Sequence, residues 1–410
     1  MMKLFKSNKI FRNLVLFSTF QGVGSGIFGI FMMWAIHATF QNPIYTGMAG
    51  FMFAAPRIAS FVVGPLVDRW NKPILLKVTS LLQFLAIAAI LITSIFLYPN
   101  SWIFLAAIFI NAIAELFEKP TFKALLPRIV KEEDLIKANV FIEVVGIVAG
   151  IAVGVGVLAM MIGEIAFEWI YGINAVFMLI ALLYASLLRS DEAKIKSATN
   201  IKTYLGELKE GFSFVLKGAM LPLLLSAIAV SFFANIASVN LPMFAEVHFG
   251  AAFGFILLSG LAILGSLLGT LLFGAVGEKI KFGKIFVLLF IFSGVVRIAF
   301  VGAIGLHLIL GILIFILYEG VTDTMGMFYY TATQKLPQKN LIGRVSTSFT
   351  SLRAAANAVG SIAGGVLGTL LANVDMAFII QGISYIAIGM FLLLSKRIRG
   401  LPKVSEFKGE

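Results

Sequence analysis

The sequence contains no cysteine, which excludes disulfide bonds, thiolate chemistry and cysteine-ligated metal sites. Its three histidines, His37, His248 and His307, do not have the spacing of a metal site. The Gly-Lys-Ser/Thr motif of a phosphate-binding loop is also missing, so the chain has no recognisable site for ATP. Because no nucleophile–base pair is evident either, we expect a protein that is not an enzyme and that uses neither a metal nor a cofactor.

Charged residues are scarce as well. They make up 13% of the 410 residues, whereas soluble proteins contain about 25%. Hydrophobic residues account for 60% of the chain, and the mean hydropathy is +1.00. The 39 glycines suit helices that pack closely in lipid. This composition predicts an all-α polytopic membrane protein.

A helix needs about 20 apolar residues to cross a bilayer. Runs of that kind recur along the whole chain and predict twelve transmembrane helices. Their approximate bounds are 13–37, 44–66, 74–97, 102–122, 138–162, 165–188, 219–245, 251–276, 284–304, 307–332, 343–371 and 376–395.

Lysine and arginine are absent from every second connection, near Gln41, Asn100, Gly163, His248, Leu306 and Asn373. The bases cluster in the other connections and at both termini. Basic loops mark the cytoplasmic side, so we expect both termini in the cytoplasm and a multi-pass protein of the cell inner (plasma) membrane. The same placement explains the net charge of +12 without nucleic acid as a partner.

A short charged turn occurs twice, between spans two and three and between spans eight and nine. Glycine, acid and base follow one another at the same intervals in both copies. The repeat predicts two copies of one unit. We expect the turns to form a conformational latch that holds in one state and breaks in the other. The latch residues are Gly64, Asp68 and Arg69 in the first copy and Gly274, Glu278 and Lys279 in the second.

The repeat divides the chain into two pseudo-symmetric six-helix bundles, 1–188 and 218–410. The connection between them, 189–217, has apolar residues at helical spacing with charges in between. This pattern predicts an amphipathic linker helix at the inner membrane surface. A regulatory role is the alternative to a simple linker.

With these spans and this charged turn, the chain resembles the major facilitator superfamily. The family signature between spans two and three is Gly-x-x-x-Asp-Arg-x-Gly-Arg-Lys, which Gly64, Asp68 and Arg69 match. Lys72 keeps a base, while Asn71 replaces the second glycine of the signature. The resemblance implies the major facilitator fold and transport by alternating access.

The chain is more narrowly similar to the branch that holds the enterobactin exporter and macrolide-efflux proteins. The matching segments are Pro56, Asp68-Arg69-Trp70, Pro120 with Ala124-Leu125-Leu126-Pro127, and Ala138-Asn139. This branch implies efflux and multidrug resistance. The glycine- and proline-rich motif of drug antiporters is incomplete, because Ile151 stands where its proline would be. That motif therefore does not support antiport.

Acidic residues within spans are costly and carry the most functional information. In span four, Asn111, Glu115 and Glu118 share one helical face, and Glu319 and Asp323 are four residues apart in span ten. We expect Glu115, Glu319 and Asp323 to face a central cavity, where at least one exchanges a proton. A permanent ion pair or a contact at the cytoplasmic gate is the alternative, and Glu118, nearer the loop, is the weaker candidate.

Three arginines also fall within spans, and each needs an acidic partner or water. We expect Arg57, Arg297 and Arg353 to be buried and paired with those acids or with Glu143. Direct contact with the substrate is the alternative for each of them. Spans one and seven each carry polar side chains on one face, with Gln21 in the middle of the first group and Asn235 in the middle of the second. We expect these groups either to line the cavity or to form hydrogen bonds between helices.

The sequence thus predicts a secondary transporter, and we expect a proton-coupled exporter of small amphipathic compounds such as a drug, an antibiotic or a siderophore. Uptake by symport or facilitated passage is the alternative within the superfamily, and sodium is the alternative coupling ion. A membrane receptor or a lipid scramblase is the alternative from another class. We expect a monomer in the lipid bilayer.

Overall fold

The computed structural model describes residues 2–163, 165–189, 201–276, 281–338, 341–371, 373–403 and 406. Within these ranges the chain forms seventeen α-helices and one 3-10 turn, and the only β-type pairing is an isolated bridge between Lys281 and Lys403. The predicted all-α polytopic class is therefore confirmed.

The first helices are α1 (Met2–Ser7), α2 (Lys9–Phe40), α3 (Pro43–Ile58), α4 (Ser60–Arg69), α5 (Lys72–Phe96), α6 (Ser101–Ile129), the 3-10 turn Glu132–Asp134, α7 (Leu135–Ile162) and α8 (Phe167–Ser186). The remaining helices are α9 (Ile201–Val215), α10 (Met220–Val239), α11 (Leu241–Phe249), α12 (Ala251–Val276), α13 (Phe282–Leu306), α14 (Leu308–Lys335), α15 (Ile342–Leu370), α16 (Asp375–Leu394) and α17 (Lys396–Arg399).

Ten helices of the described chain are long and apolar enough to cross a membrane. They correspond to ten of the twelve predicted spans. The predicted span 44–66 is divided between α3 and α4, and neither part reaches the required length alone. The predicted span 343–371 corresponds to α15, in which serine, threonine, Arg344, Arg353 and Asn357 lower the hydropathy.

Two predicted spans are broken rather than continuous, and a proline lies near each break. Span two is interrupted at Ala59, three residues after Pro56. Span seven ends at Asn240, and α11 then starts with Pro242 in its first turn. Proline lacks an amide hydrogen and disrupts the turn before it, which accounts for the end of α10 just before Pro242. The break at Ala59 follows its proline and is not explained in this way. The predictions of one continuous helix over 44–66 and of one over 219–245 were therefore wrong.

Close contacts divide the chain into two compact units. Unit 1 comprises Met1–Gln41 and Val62–Ala198, and unit 2 comprises Asn42–Phe61 and Thr199–Glu410. Helix α3 is thus grouped with the second unit, where it packs along α15. The predicted division into 1–188 and 218–410 stays a prediction.

The core of unit 1 forms where α2, α5, α6, α7 and α8 meet. Phe11 and Phe17 of α2 are fully buried there with Leu76, Leu125 and Ala181. Burying such side chains contributes roughly 1.5–3 kcal/mol each to stability relative to full exposure in water. The packed helices provide a rigid frame for the polar side chains described below.

The core of unit 2 is rich in aromatic rings. Phe286 stacks edge-on against Phe290 and Tyr329, with ring centroids 5.1 Å apart in both pairs. Small residues allow other helices to approach more closely, and Gly294 of α13 lies against the backbone of Gly382 in α16. These contacts hold α13, α14 and α16 together around one cavity.

The predicted linker is helical over Ile201–Val215, while residues 190–200 lie outside the described part. An Nη1 atom of Arg344 donates to Glu210 at 2.6 Å, and Gly211 lies against the Arg344 backbone. Helix α9 is therefore attached to α15 within unit 2. Its position at the membrane surface stays a prediction.

Candidate substrate and coupling sites

Three helices of unit 1 bring two glutamines and a glutamate together. Gln21 of α2 donates through Nε2 to Gln83 of α5 at 2.5 Å and to Glu118 of α6 at 2.8 Å. Gln21 is 1% exposed and Gln83 is fully buried, whereas Glu118 is partly buried. The glutamate carboxylate is therefore held by a neutral amide at the edge of the helix bundle.

Glu118 has no lysine, arginine or histidine at ion-pair distance within the described ranges. Two buried atoms beside it, Oε1 of Gln21 and Nε2 of Gln83, also have no hydrogen-bond partner. Leaving such groups unsatisfied costs roughly 1–3 kcal/mol each. The cluster therefore has unused hydrogen-bonding capacity next to an acid.

The other predicted residues of span four have different surroundings. Glu115 forms an ion pair with Lys119 at 3.0 Å within α6, and their side chains are 21% and 66% exposed. Asn111 is buried, and its Nδ2 has no hydrogen-bond partner among the residues that the structure describes. Sequence spacing placed all three polar residues on one face, but only Glu118 contacts Gln21.

Unit 2 contains a cavity of about 310 Å³ between α10, α11, α12, α13, α14 and α16. Its wall combines rings, small apolar side chains and two opposite charges, Arg297 and Glu319. The other lining residues are Ala234, Ser238, Leu241, Ala262, Phe315, Tyr318, Thr322, Gln381 and Tyr385. This volume is at the lower end of the range of small-molecule sites, which is about 300–1,000 Å³.

Arg297 is the most enclosed charge at this cavity, with 4% exposure. Its Nε donates to Oε1 of Gln381 at 2.8 Å, and its Cζ lies 4.2 Å from the ring centroid of Tyr318 and 4.6 Å from that of Phe378. Cation–π contacts of this kind stabilise a desolvated guanidinium. The Nη1 atom is nevertheless buried without a hydrogen-bond partner in the described part of the chain.

Glu319 lies on α14, next to Tyr318. Its stem packs against Gly265 of α12, where a Cβ on the glycine would lie 2.7 Å from the Cβ of Glu319. Arg297 and Glu319 line the same cavity without an ion pair between them in the described structure. The sequence suggested Glu319 as a possible partner of Arg297, but the two are not in direct contact.

Asp323 is four residues from Glu319 but has other neighbours. Its Oδ1 accepts from Ser266 at 2.9 Å, and its Oδ2 accepts from Thr270 at 2.6 Å. Both hydroxyls belong to α12. Asp323 thus connects α12 to α14 and is not among the residues that line the 310 Å³ cavity.

Asn235 belongs to a hydrogen-bond network between α10 and α15. It donates to Asn357 at 2.7 Å, and Ser361 donates to Asn235 at 3.3 Å. On the same pair of helices, Arg353 donates through Nε to Ser231 at 3.1 Å, and its Cζ lies 5.7 Å from the ring of Tyr329. Of the two roles considered for Asn235, the structure therefore shows contacts between helices.

Two predicted buried charges are exposed. Arg57 lies near the break after α3, and Glu143 lies on α7, and both side chains are classed as exposed. The expectation of burial was wrong for these two residues. Each lies in an apolar span, but its side chain does not face the interior of the protein. Of the four charges expected to be buried, Arg297 is buried and Arg353 is partly buried.

Little of the predicted latch falls within the described structure. Gly64 and Arg69 are exposed on α4, and Gly274 is exposed near the end of α12. The side chain of Asp68, together with Glu278 and Lys279, lies outside the described part. The latch stays a prediction.

A scan against family models matches residues 14–356 to the Major Facilitator Superfamily. Among solved structures, the nucleoside transporter NupG is similar with a TM-score of 0.74 and 14% identity, covering 95% of this chain and 100% of its own. The peptide transporter POT in complex with sulfate has a TM-score of 0.70 and 15% identity, covering 97% of this chain and 96% of its own.

A bacterial homolog to the human lysosomal transporter Spinster has a TM-score of 0.63 and 14% identity, covering 97% of this chain and 96% of its own. No curated protein matches the sequence. At such identities the solved structures show a shared fold, while the family match covers most of the chain. The chain therefore belongs to the Major Facilitator Superfamily, and it is a multi-pass membrane transporter of small molecules rather than an enzyme.

Proposed function

We propose that the protein is a proton-coupled exporter of small amphipathic compounds that works by alternating access. The observation that carries this proposal is the contact between Gln21 and Glu118 in unit 1. It places an acid beside amide groups that have unused donors and acceptors. The proposal assigns proton exchange to Glu118 and substrate contact to the cavity in unit 2.

A glutamine can hold a glutamate in either charge state. Its Nε2 donates to a carboxylate, whereas its Oε1 accepts from the hydroxyl of a carboxylic acid. Gln21 shows the first arrangement, and its Oε1 has no partner. A rotation of the Gln21 amide would supply the second arrangement when Glu118 takes up a proton, provided that the Gln83 amide rotates as well and presents its unused Nε2 to Gln21.

The cavity in unit 2 supports an amphipathic substrate. Phe315, Tyr318 and Tyr385 offer apolar and aromatic surface, while Arg297 and Glu319 offer charge. Apolar walls with a few fixed polar groups are typical of small-molecule sites. The substrate therefore needs both a hydrophobic body and polar ends.

Support for export comes from the sequence resemblance. Asp68-Arg69-Trp70 and the segment from Pro120 to Pro127 resemble the branch of siderophore and macrolide exporters. Uptake, coupling to sodium, and a receptor or scramblase role are the competing outcomes of the experiment below.

The test is transport in proteoliposomes of known orientation. A pH gradient and a sodium gradient are imposed separately, and a panel of radiolabelled drugs, siderophores and amphipathic compounds is added. We expect movement from the cytoplasmic face outward that is driven by the pH gradient alone. Movement in the opposite direction would support uptake, sodium dependence would replace the proton, and gradient-independent lipid exchange would indicate a scramblase.

A further inference from the structure

We propose that the cavity of unit 2 binds a small zwitterionic compound, with its carboxylate against Arg297, its amine against Glu319 and an aromatic body between them. The inference deepens the proposed function, because it rests on this cavity being the substrate site. It goes further by specifying the two charges that the substrate carries.

Arg297 supplies the subsite for the carboxylate. A guanidinium has five N–H donors in a planar fork that matches a carboxylate with two parallel hydrogen bonds. Gln381 uses the Nε donor, and the buried Nη1 has no partner. Arg297 lines the cavity, and a ligand carboxylate that reaches its guanidinium would satisfy the Nη1 donor that the described structure leaves unused.

The position of Arg297 is fixed before a ligand arrives. Gln381 accepts from Arg297 and donates to the hydroxyl of Tyr385 at 3.3 Å, which orients its amide. The rings of Tyr318 and Phe378 cover the guanidinium. A group held in this way loses little further freedom on binding, and such preorganisation favours affinity.

Glu319 supplies the subsite for the amine. Its carboxylate has no hydrogen bond or ion pair in the described structure, and its stem packs against Gly265. Opposite charges in one small cavity attract each other, and these two are nevertheless not in contact. A ligand with a negative and a positive end complements both groups, whereas a singly charged ligand leaves one of them without a partner.

The size and walls of the cavity restrict the body of the ligand. About 310 Å³ between Phe315, Tyr318 and Tyr385 suits one aromatic group rather than a large macrocycle. Ala234 and Ala262 add small apolar side chains to the lining. An aromatic amino acid is the simplest compound with this shape and these charges.

The test measures equilibrium binding to the full-length protein in lipid nanodiscs, without any gradient. Isothermal titration uses four probes with one phenyl ring: phenylalanine, 3-phenylpropionate, phenethylamine and 2-phenylethanol. We expect phenylalanine to bind about tenfold or more tightly than each singly charged probe, because each end forms charge-assisted hydrogen bonds. This ranking is measured on the unmodified chain and needs no variant.

Two variants assign each charge to its residue. Arg297→Gln should weaken phenylalanine and 3-phenylpropionate by about tenfold and leave phenethylamine unchanged. Glu319→Gln should weaken phenylalanine and phenethylamine and leave 3-phenylpropionate unchanged. Arg128→Gln, an exposed arginine at the end of α6, serves as the matched control.

The proposal is overturned if the four probes bind the unmodified chain within twofold of one another or do not bind. It is also overturned if Arg297→Gln and Glu319→Gln weaken every probe equally, since the two charges would then only neutralise each other. Its failure is distinguishable from that of the proposed function. If transport is driven by the pH gradient but binding does not depend on the charge of the probe, only the proposal of a zwitterionic substrate is rejected. If binding depends on charge but transport is not driven by protons, only the proposal of proton coupling is rejected.

Discussion

Gly47 of α3 lies directly against Gly365 of α15. A Cβ added to Gly47 would lie 2.7 Å from the Cα of Gly365, and one added to Gly365 would lie 2.9 Å from the Cα of Gly47. No side chain fits between these backbones. The pair explains how α3, the first part of the broken second span, packs along α15 within unit 2.

The first prediction concerns this contact. Gly47→Val should separate α3 from α15 and destabilise the described conformation by about 1–3 kcal/mol, as overpacking does. Thermal unfolding of the purified protein in nanodiscs measures the effect. Gly302→Val is the matched control, because a Cβ at Gly302 meets nothing within 4 Å. Equal melting temperatures for the two variants would contradict the close approach.

The second prediction uses the absence of native cysteine. The hydroxyl oxygens of Ser60 and Ser351 lie 2.9 Å apart, so the double variant Ser60→Cys, Ser351→Cys should crosslink under mild oxidation. If alternating access separates these residues, the crosslink should stop transport, and a reductant should restore it.

Each single cysteine variant, treated with the same oxidant, is the control for damage by oxidation. If the crosslink forms quantitatively and the crosslinked protein transports at the rate of the unmodified protein, positions 60 and 351 stay together throughout the transport cycle.

The third prediction separates the two glutamates of α6. Glu118→Gln should abolish substrate movement driven by a pH gradient but retain exchange of labelled for unlabelled substrate. Glu115→Gln should keep gradient-driven movement, because Glu115 pairs with the largely exposed Lys119, whereas the Gln21–Gln83 pair contacts Glu118. Both variants are assayed in the same proteoliposomes. The reverse order of effects would transfer the coupling role to Glu115.

The fourth prediction concerns the seam between α12 and α14. Asp323→Asn removes one of two acceptors for Ser266 and Thr270 and should lower the stability by about 1–3 kcal/mol. Thr270→Val should produce a smaller loss, since it removes one hydroxyl. Melting temperature and proton-driven transport are measured together. A loss of coupling at unchanged stability would assign Asp323 to proton exchange instead.

The fold class and the positions of the spans were predictable because long apolar runs have few structural solutions in lipid. The breaks at Ala59 and Asn240 were missed although Pro56 and Pro242 are visible in the sequence. A proline in a membrane helix is tolerated or disruptive depending on neighbouring groups. Here Asn240 donates to the Gly364 carbonyl of α15, which no local pattern reveals.

The candidate site was only partly predictable, because helical spacing shows which residues share a face but not which neighbouring groups that face packs against. Glu319 and Asp323 are one turn apart, yet one lines a cavity and the other accepts hydroxyls from α12. Glu118 was the weaker candidate because it lies nearer the loop. Its contact with Gln21, and that of Gln21 with Gln83 from a third helix, supports the proposal that assigns proton exchange to it.

The most direct test of the central claim is a record of proton movement caused by substrate alone. Proteoliposomes containing a pH-sensitive dye receive a transported compound with no imposed gradient, and the unmodified protein is compared with Glu118→Gln. The account predicts a pH change in the lumen that follows substrate movement in the unmodified protein and is lost in the variant, while exchange continues. An equal pH change in both, or none in the unmodified protein during measurable transport, would contradict it.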